Sequence, residues 1–328
     1  MLKINEEIEK KKWNEFIIEN EGSFLQSFEW GEFQKSLGQK VWRVMVQEEG
    51  KIKATIQIIK EFFPLKGKCF FYVPFGPTFR KSLASKEKEE IIRFVLGETK
   101  RLAEKEGVIF LRIEPLAPLP AGIGLPASKR IQARQTLILD LKKEEEEIFQ
   151  NFRKGTRYSI KFAQKNNVKF EYHEEYLPVF YRLLGKTAKR NKFSCFKEKH
   201  YKNLFDFSSN DFKVELWLAK YNEKVIVVNI LVFFQKRCFY LHAGSDKELS
   251  RDYKASDFLQ WQQIKEAKKR GYEKYNFWGI DEKKWPGVTF FKKGFGGEEF
   301  IYPEGRDVVF QNFWYRIYKL LRKIKKCF

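Results

Sequence analysis

The sequence predicts two tandem α/β domains, each a mixed, mostly antiparallel sheet flanked by helices. Three observations carry that expectation. The chain has 328 residues, enough for two domains, and its 43% hydrophobic and 17% aromatic content is that of a packed protein, not a disordered one. The two halves then repeat one grammar: a strand hairpin, a third strand, a long helix closed by glycine, and a final strand. The repetition reaches individual residues. Tyr72-Val-Pro-Phe-Gly76 is echoed by Tyr240-Leu-His-Ala-Gly244, and Ala103-Glu-Lys-Glu-Gly107 by Ala267-Lys-Lys-Arg-Gly271. Glu114 and Trp278 fall at the same offset beyond those glycines. A period this long marks two copies of a domain, not a solenoid.

In chain order, Ile8, Trp13, Phe16 and Ile17 give an apolar face to a helix over 4–20. A second helix lies within 24–38, begun near Ser27 and stopped by Gly38. Strands over 41–48 and 52–62 are joined by Glu49-Gly50, a hairpin signal. A strand over 68–73 runs into Pro74-Phe75-Gly76-Pro77, a charged helix over 86–106 is closed by Gly107, and 108–114 returns as a strand before a Pro/Gly-rich loop over 115–126. An acidic-start helix over 143–152 leads to the basic run Arg153-Lys-Gly-Thr-Arg-Tyr158, a strand over 168–172 and helices over 176–190 and 198–207. The second copy follows: a hairpin over 212–234, a strand over 238–243, a helix over 255–270 and a strand over 272–278. The last helix, 310–328, carries Phe310, Phe313, Trp314, Ile317, Tyr318, Leu321 and Ile324 on one face and Arg316, Lys319, Arg322, Lys323, Lys325 and Lys326 on the other. That pattern suits either packing on the body or docking of the basic face on anionic lipid. The expected division is a first domain over 1–141, with helix 310–328 packing back on it, and a second over 142–309. Antiparallel strands, a helix and one more strand are the order of an acetyltransferase-like (GNAT-like) domain, which leaves function to be argued from the site.

Composition narrows the function. With 64 basic against 43 acidic residues the net charge is +21, which predicts a polyanionic partner: nucleic acid, an anionic membrane surface or a phosphorylated substrate. A lysine-rich proteome would produce some of this excess without any such partner. Cys69, Cys195, Cys238 and Cys327 are scattered without a CxxC pair, as expected of reduced structural thiols. His173, His200 and His242 do not cluster along the chain, so neither a metal site nor a Ser-His-Asp triad is expected. The N-terminus lacks the apolar core of a signal peptide, and the longest apolar run, 225–234, is broken by Asn229 and too short to span a bilayer. The expectation is a soluble cytoplasmic protein, peripheral at most to the inner face of the membrane.

The stretch 271–300 draws most attention: a strand, a Gly/Asp/Pro-rich bend, then Phe290-Phe-Lys-Lys-Gly-Phe-Gly-Gly297. Glycine admits close backbone approach, and lysines between aromatic walls make a fixed cationic point. Taken alone it is equally a glycine-rich helix end with surface lysines.

Several stretches together resemble the FemABX aminoacyltransferases, over nearly the whole chain and in that family's order. They are Phe24-Leu-Gln-Ser-Phe-Glu-Trp30 with Gly38, Tyr72-Val-Pro-Phe-Gly-Pro77, Arg153-Lys-Gly-Thr-Arg-Tyr158, Tyr240-Leu-His-Ala-Gly-Ser245, Phe277-Trp-Gly279 and Phe291-Lys-Lys-Gly-Phe-Gly296. The resemblance implies two acetyltransferase-like domains and transfer of an amino acid from aminoacyl-tRNA to the stem-peptide amine of a peptidoglycan precursor, UDP-MurNAc-peptide or lipid-linked muropeptide. It implies no metal and no cofactor beyond aminoacyl-tRNA as co-substrate. The segment 178–212 is too short for the coiled-coil arm of some members, so the chain resembles the compact ones. By motif, Lys292 corresponds to the family's catalytically important lysine and Phe291 to a wall of its pocket. Glu114, before Pro115, stands where members usually carry Asp, as a general base, an electrostatic guide for the amine, or simply the cap of a strand end. Lys35 and Lys197 fall near phosphate-binding positions, the second aligning with Phe196 or Lys197. Each is otherwise a solvated lysine. Tyr72, Tyr201 and Tyr240 correspond to aromatics lining the peptide groove, and Arg157 in its basic cluster would meet tRNA backbone or precursor phosphate.

Two other functions fit the composition. One is an N-acyltransferase of the same fold with another donor or amine, and the other a non-enzymatic nucleic-acid-binding protein. Aromatics placed mainly in apolar runs count against the second. An acyl-CoA donor would call for a glycine-rich pyrophosphate loop after the third strand, which Gly76-Pro77 and Gly244-Ser245 do not offer.

Overall fold

The computed structural model describes residues 2–5, 8–63, 67–191 and 193–324, with the side chains of 323 and 324 left out, so the expectations for Lys325, Lys326 and Cys327 lie outside the described residues. Two compact units emerge, Met1–Gln132 with Tyr302–Phe328, and Ala133–Ile301. Among the described residues no helix is long and apolar enough to cross a membrane.

The first unit opens with a difference. Where a helix over 4–20 was expected, β1 (Lys3–Asn5) pairs antiparallel with β2 (Val41–Glu48), and α1 starts only at Lys10, spanning Lys10–Glu19. Ile4 answers to Val46 across a ladder, a long-range partner that local periodicity does not display. The Ser27 hydroxyl caps α2 (Phe28–Ser36) by accepting from the Trp30 N–H at 3.1 Å. Glu49 and Gly50 turn β2 into β3 (Lys51–Phe62) with φ of 49° and 73°, the left-handed pair of a type I′ hairpin. The fully buried β4 (Cys69–Pro74) follows, then β5 (Thr78–Phe79) and α3 (Ser85–Glu106), which Gly107 ends at φ 66°. Next come β6 (Val108–Glu114), also fully buried, and the short β7 (Leu125–Pro126).

The second unit begins at β8 (Gln135–Asp140), then α4 (Glu145–Gln150), α5 (Lys154–Lys165), β9 (Lys169–Tyr172), α6 (Leu177–Asn191) and α7 (Glu198–Asp206). The hairpin β10 (Phe212–Tyr221) and β11 (Lys224–Phe234) leads to β12 (Arg237–Ser245), α8 (Lys247–Asp252), α9 (Ala255–Lys269), β13 (Lys274–Ile280), α10 (Pro286–Lys293) and β14 (Glu298–Ile301). Its sheet order is β14-β8-β13-β12-β11-β10-β9, antiparallel except where β13 lies parallel to β12.

The chain then supplies β15 (Arg306–Val309) and α11 (Asn312–Ile324) to the first unit, completing the order β1-β2-β3-β4-β6-β15-β7. The expected division after residue 141 and at 309 therefore moves to 132/133 and 301/302, because strands belong with their ladder partners: β8 with β13 and β14, and β15 with β6. Asp307 carries the return. Its carboxylate accepts from Arg112 Nε at 2.8 Å and Nη2 at 2.7 Å, both side chains fully buried, and from the Tyr315 hydroxyl at 2.8 Å. That bond and the packing of Tyr315 and Tyr318 on Phe110 set the rotation of α11. The face expected from its pattern packs only in part: Tyr318 and Trp314 join Tyr315 against the body, while Phe313 is 68% and Leu321 42% exposed.

The duplication is visible as β2-β3-β4-α3-β6 against β10-β11-β12-α9-β13, with the last strand parallel to the third in both. The copies differ at the end of that parallel pair. β4 and β6 stay paired through Pro74 and Glu114, whereas β12 and β13 pair only from Arg237/Lys274 to Phe239/Asn276 and then part. The candidate site lies beyond that parting.

Candidate active site

At the end of β13 the register against β8 slips between Asn276 and Gly279. The Thr136 hydroxyl donates to Asn276 Oδ1 at 2.6 Å, and the same oxygen accepts from the Trp278 N–H at 2.8 Å, holding Trp278 at φ 58°. Gly279 follows with no room for a side chain, since a Cβ there would stand 2.4 Å from that of Ala133. Asp281 then collects the N–H groups of Lys283 and Lys284, and Pro286 at the first turn starts α10. This local chemistry delivers Lys292 back to the strand end, where its Nζ donates to the Gly279 carbonyl at 2.8 Å.

The residues around α10 anchor it. Phe295 is fully buried against Phe152 and Phe277, and Phe291 packs on it at 5.3 Å. Gly296 and Gly297 take φ of 69° and 90°, and a Cβ on Gly297 would stand 2.9 Å from the Ile138 carbonyl oxygen. Arg153 donates its N–H to the Gly294 carbonyl at 2.9 Å and its guanidinium to the Phe290 carbonyl at 2.7 Å, lying 3.8 Å over the Phe290 ring. Arg157 donates to the carbonyls of Gln150 at 2.6 Å and Phe152 at 2.5 Å, at the end of α4. The basic run expected to meet substrate anions thus spends these two arginines on internal carbonyls.

Lys292 is 6% exposed, and burial lowers its pKa from 10.5 to about 7. Among the described residues no carboxylate forms an ion pair with it. The fixed cation expected from sequence is instead a lysine poised between its two protonation states near neutral pH. Its Nζ lies 5.5 Å from the centre of the Tyr240 ring on β12. Two residues along that strand, His242 stands perpendicular to Tyr201 at 5.4 Å, and His200 stacks on Phe196 at 3.9 Å. Burial lowers the His200 imidazole to about 4, while burial and then His200 and Lys292 lower His242 to about 3. Burial raises the phenols of Tyr201 and Tyr240. His200 and His242 therefore do meet, contrary to their spacing in sequence, as neutral rings in an aromatic wall, while His173 stacks on Tyr172. Among the described residues no group of three metal-ligating side chains forms.

The remaining candidates are placed as follows. Lys197 is exposed at the N-cap of α7, beside Phe196. Lys35 on α2 pairs with Glu32 at 2.9 Å, which also takes Arg43, an arginine the sequence reading did not single out, at 2.8 Å. Glu114 is fully buried in the first unit. It accepts from the Tyr72 hydroxyl at 2.9 Å and from the N–H groups of Ile131 at 2.5 Å and Gln132 at 2.9 Å. Its oxygens are thus engaged, and the carboxylate ties the 131–132 backbone to the end of β6 instead of standing free as a base.

The FemAB family model matches residues 8–122, 121–224 and 213–323, which is nearly the whole chain. The chain belongs to the FemAB family. Curated relatives include the lipid II:glycine glycyltransferase of Staphylococcus haemolyticus (strain JCSC1435), 27% identical over 228 residues, covering 64% of this chain and 53% of that protein. The enzyme of the same name from Staphylococcus aureus (strain MRSA252) is 22% identical over 242 residues, covering 68% and 56%. This chain spans about half the length of the curated relatives it matches. A crystal structure of FemX superposes with a TM-score of 0.81 at 19% identity, covering 97% of this chain and 100% of that one. A tandem GNAT protein from the clavulanic acid biosynthesis pathway does so at 0.53 and 11% identity, covering 94% and 97%. These likenesses fix the fold of this FemAB chain as two mixed α/β units of acetyltransferase-like topology.

Proposed function

We propose that this FemAB-family protein is a tRNA-dependent aminoacyltransferase that extends the stem peptide of a peptidoglycan precursor. The observation that carries the reading is Lys292, desolvated at the parted strand end among Phe291, Tyr240 and His242, in a chain similar to lipid II:glycine glycyltransferases. The ester of aminoacyl-tRNA is already activated, so the chemistry needs proton handling and charge stabilisation. The stem-peptide amine attacks the ester carbon, the C–O bond to the ribose breaks, an amide forms, and the proton lost by the amine ends on the ribose oxygen. A lysine with a pKa of about 7 suits both halves: neutral it accepts that proton, and as ammonium it steadies the oxyanion and protonates the departing oxygen. Tyr240, half-buried on β12, walls the acceptor side, with Tyr201 packed behind it. Lys197, exposed at the start of α7, offers a point charge for pyrophosphate. Glu114 holds backbone. The net charge of +21 suits two polyanionic substrates, and a lipid-linked acceptor would place the enzyme at the inner membrane face.

Incubation with pools of charged tRNA and either UDP-linked or lipid-linked muropeptide, followed by mass spectrometry, tests the reading. The acceptor should gain the mass of one aminoacyl residue only when the tRNA is charged. No gain with any amino acid on either acceptor would refute it.

A further inference from the structure

On α11 the body-facing side is occupied by the buried Tyr315 and Tyr318. The opposite side carries Phe313, Ile317 and Leu320, spaced i, i+4, i+7 along one stripe, with Phe313 68% and Leu320 59% exposed. A surface helix ordinarily turns polar residues outward. Here the outward stripe is apolar, and the exposed Arg316 and Lys319 flank it on one side. Trp314 lies on the other flank, its ring against Phe313 at 5.4 Å and under the Lys68 ammonium at 3.8 Å.

We propose that this outward face of α11 is a docking surface for an anionic lipid bilayer, entered by Phe313, Ile317 and Leu320 and held by Arg316, Lys319 and Lys68. Apolar side chains edged by cations, with a tryptophan at the boundary, suit the interfacial layer, where acyl chains receive the first group and headgroups the second. Charge chooses the occupant. A second copy of a +21 chain would bring like charges together, whereas an anionic surface attracts each cation. The inference rests on the first unit alone and is independent of the reaction proposed above.

Flotation of the full chain with vesicles of phosphatidylglycerol and phosphatidylcholine in equal parts, against phosphatidylcholine alone, is the test, with neither tRNA nor muropeptide present. The chain should float with the anionic vesicles only. Phe313→Ser/Leu320→Ser should weaken binding by about tenfold or more without lowering the melting temperature, since both side chains are exposed. Arg316→Ser/Lys319→Ser should weaken it most at low salt. Three results would overturn the proposal: no binding to the anionic vesicles, equal binding by the Phe313/Leu320 variant, or a dimer in sedimentation that this variant dissociates. A failed transfer assay would leave the vesicle result standing.

Discussion

Lys292→Met is expected to lower the rate of aminoacyl transfer by about 10²- to 10⁴-fold, the range supplied by one positioned acid–base group. Methionine keeps the unbranched stem and most of the volume, so α10 should remain seated on Phe295. The effect of the substitution on stability should depend on pH. Lys292 has an ordinary pKa of 10.5 in the unfolded chain and about 7 in the fold, so between those values the unfolded state binds more protons. Wild-type stability therefore rises with pH across that window, by at most about 1.4 kcal/mol per pH unit, and the burial penalty is complete below about 7. The methionine variant lacks that slope. Its stability relative to wild type should increase as pH falls from 10 towards 7 and level off below. Loss of the donor to the Gly279 carbonyl adds an offset that does not depend on this titration. Transfer within a few-fold of wild type would remove Lys292 from the mechanism.

Asp307→Asn should produce the largest loss of stability in the first unit, about 3–5 kcal/mol, because it strands the fully buried Arg112 guanidinium without its counter-charge. The cost reaches beyond one pair. Asp307 also receives the Tyr315 hydroxyl, and together these contacts hold β15 and α11 on β6. Arg112→Met combined with Asp307→Leu should recover much of the loss, since an apolar pair leaves no buried charge. Urea denaturation reads both variants. A loss below about 1 kcal/mol for Asp307→Asn would show that the buried pair does not carry the return of the chain.

What was legible in the sequence was local. Glu49-Gly50 announced the first hairpin, Ser27 and Gly107 marked helix ends with their own backbone chemistry, and the echo of Tyr72–Gly76 in Tyr240–Gly244 exposed the duplication. Strands whose only justification is a distant partner went unmarked. β8, β14 and β15 are short, and each is defined by a ladder to a strand far away in sequence, so the unit boundaries moved with them. The site divided along the same line. The glycines at 294, 296 and 297 drew attention to the FKKGFG run, and the FemABX resemblance singled out Lys292 within it. Its desolvation was not legible, since that depends on β8, β12 and β13 closing around the end of α10. The partners of Arg157 and Glu114 were not legible: Arg157 donates to the carbonyls of Gln150 and Phe152, and Glu114 accepts from the N–H groups of Ile131 and Gln132, within their own units. His200 and His242 carried no spacing signal at all, because a helix and a strand from separate segments bring them together around Tyr201.

The proposed chemistry requires that Lys292 change protonation state near neutral pH inside the second unit. Heteronuclear NMR titration of the lysine ε-amines, with the Lys292 resonance assigned by its absence in Lys292→Met, measures this directly. A midpoint near 7 is the result the desolvated site predicts. A midpoint near the ordinary 10.5 would show a solvated ammonium and contradict the proposed chemistry.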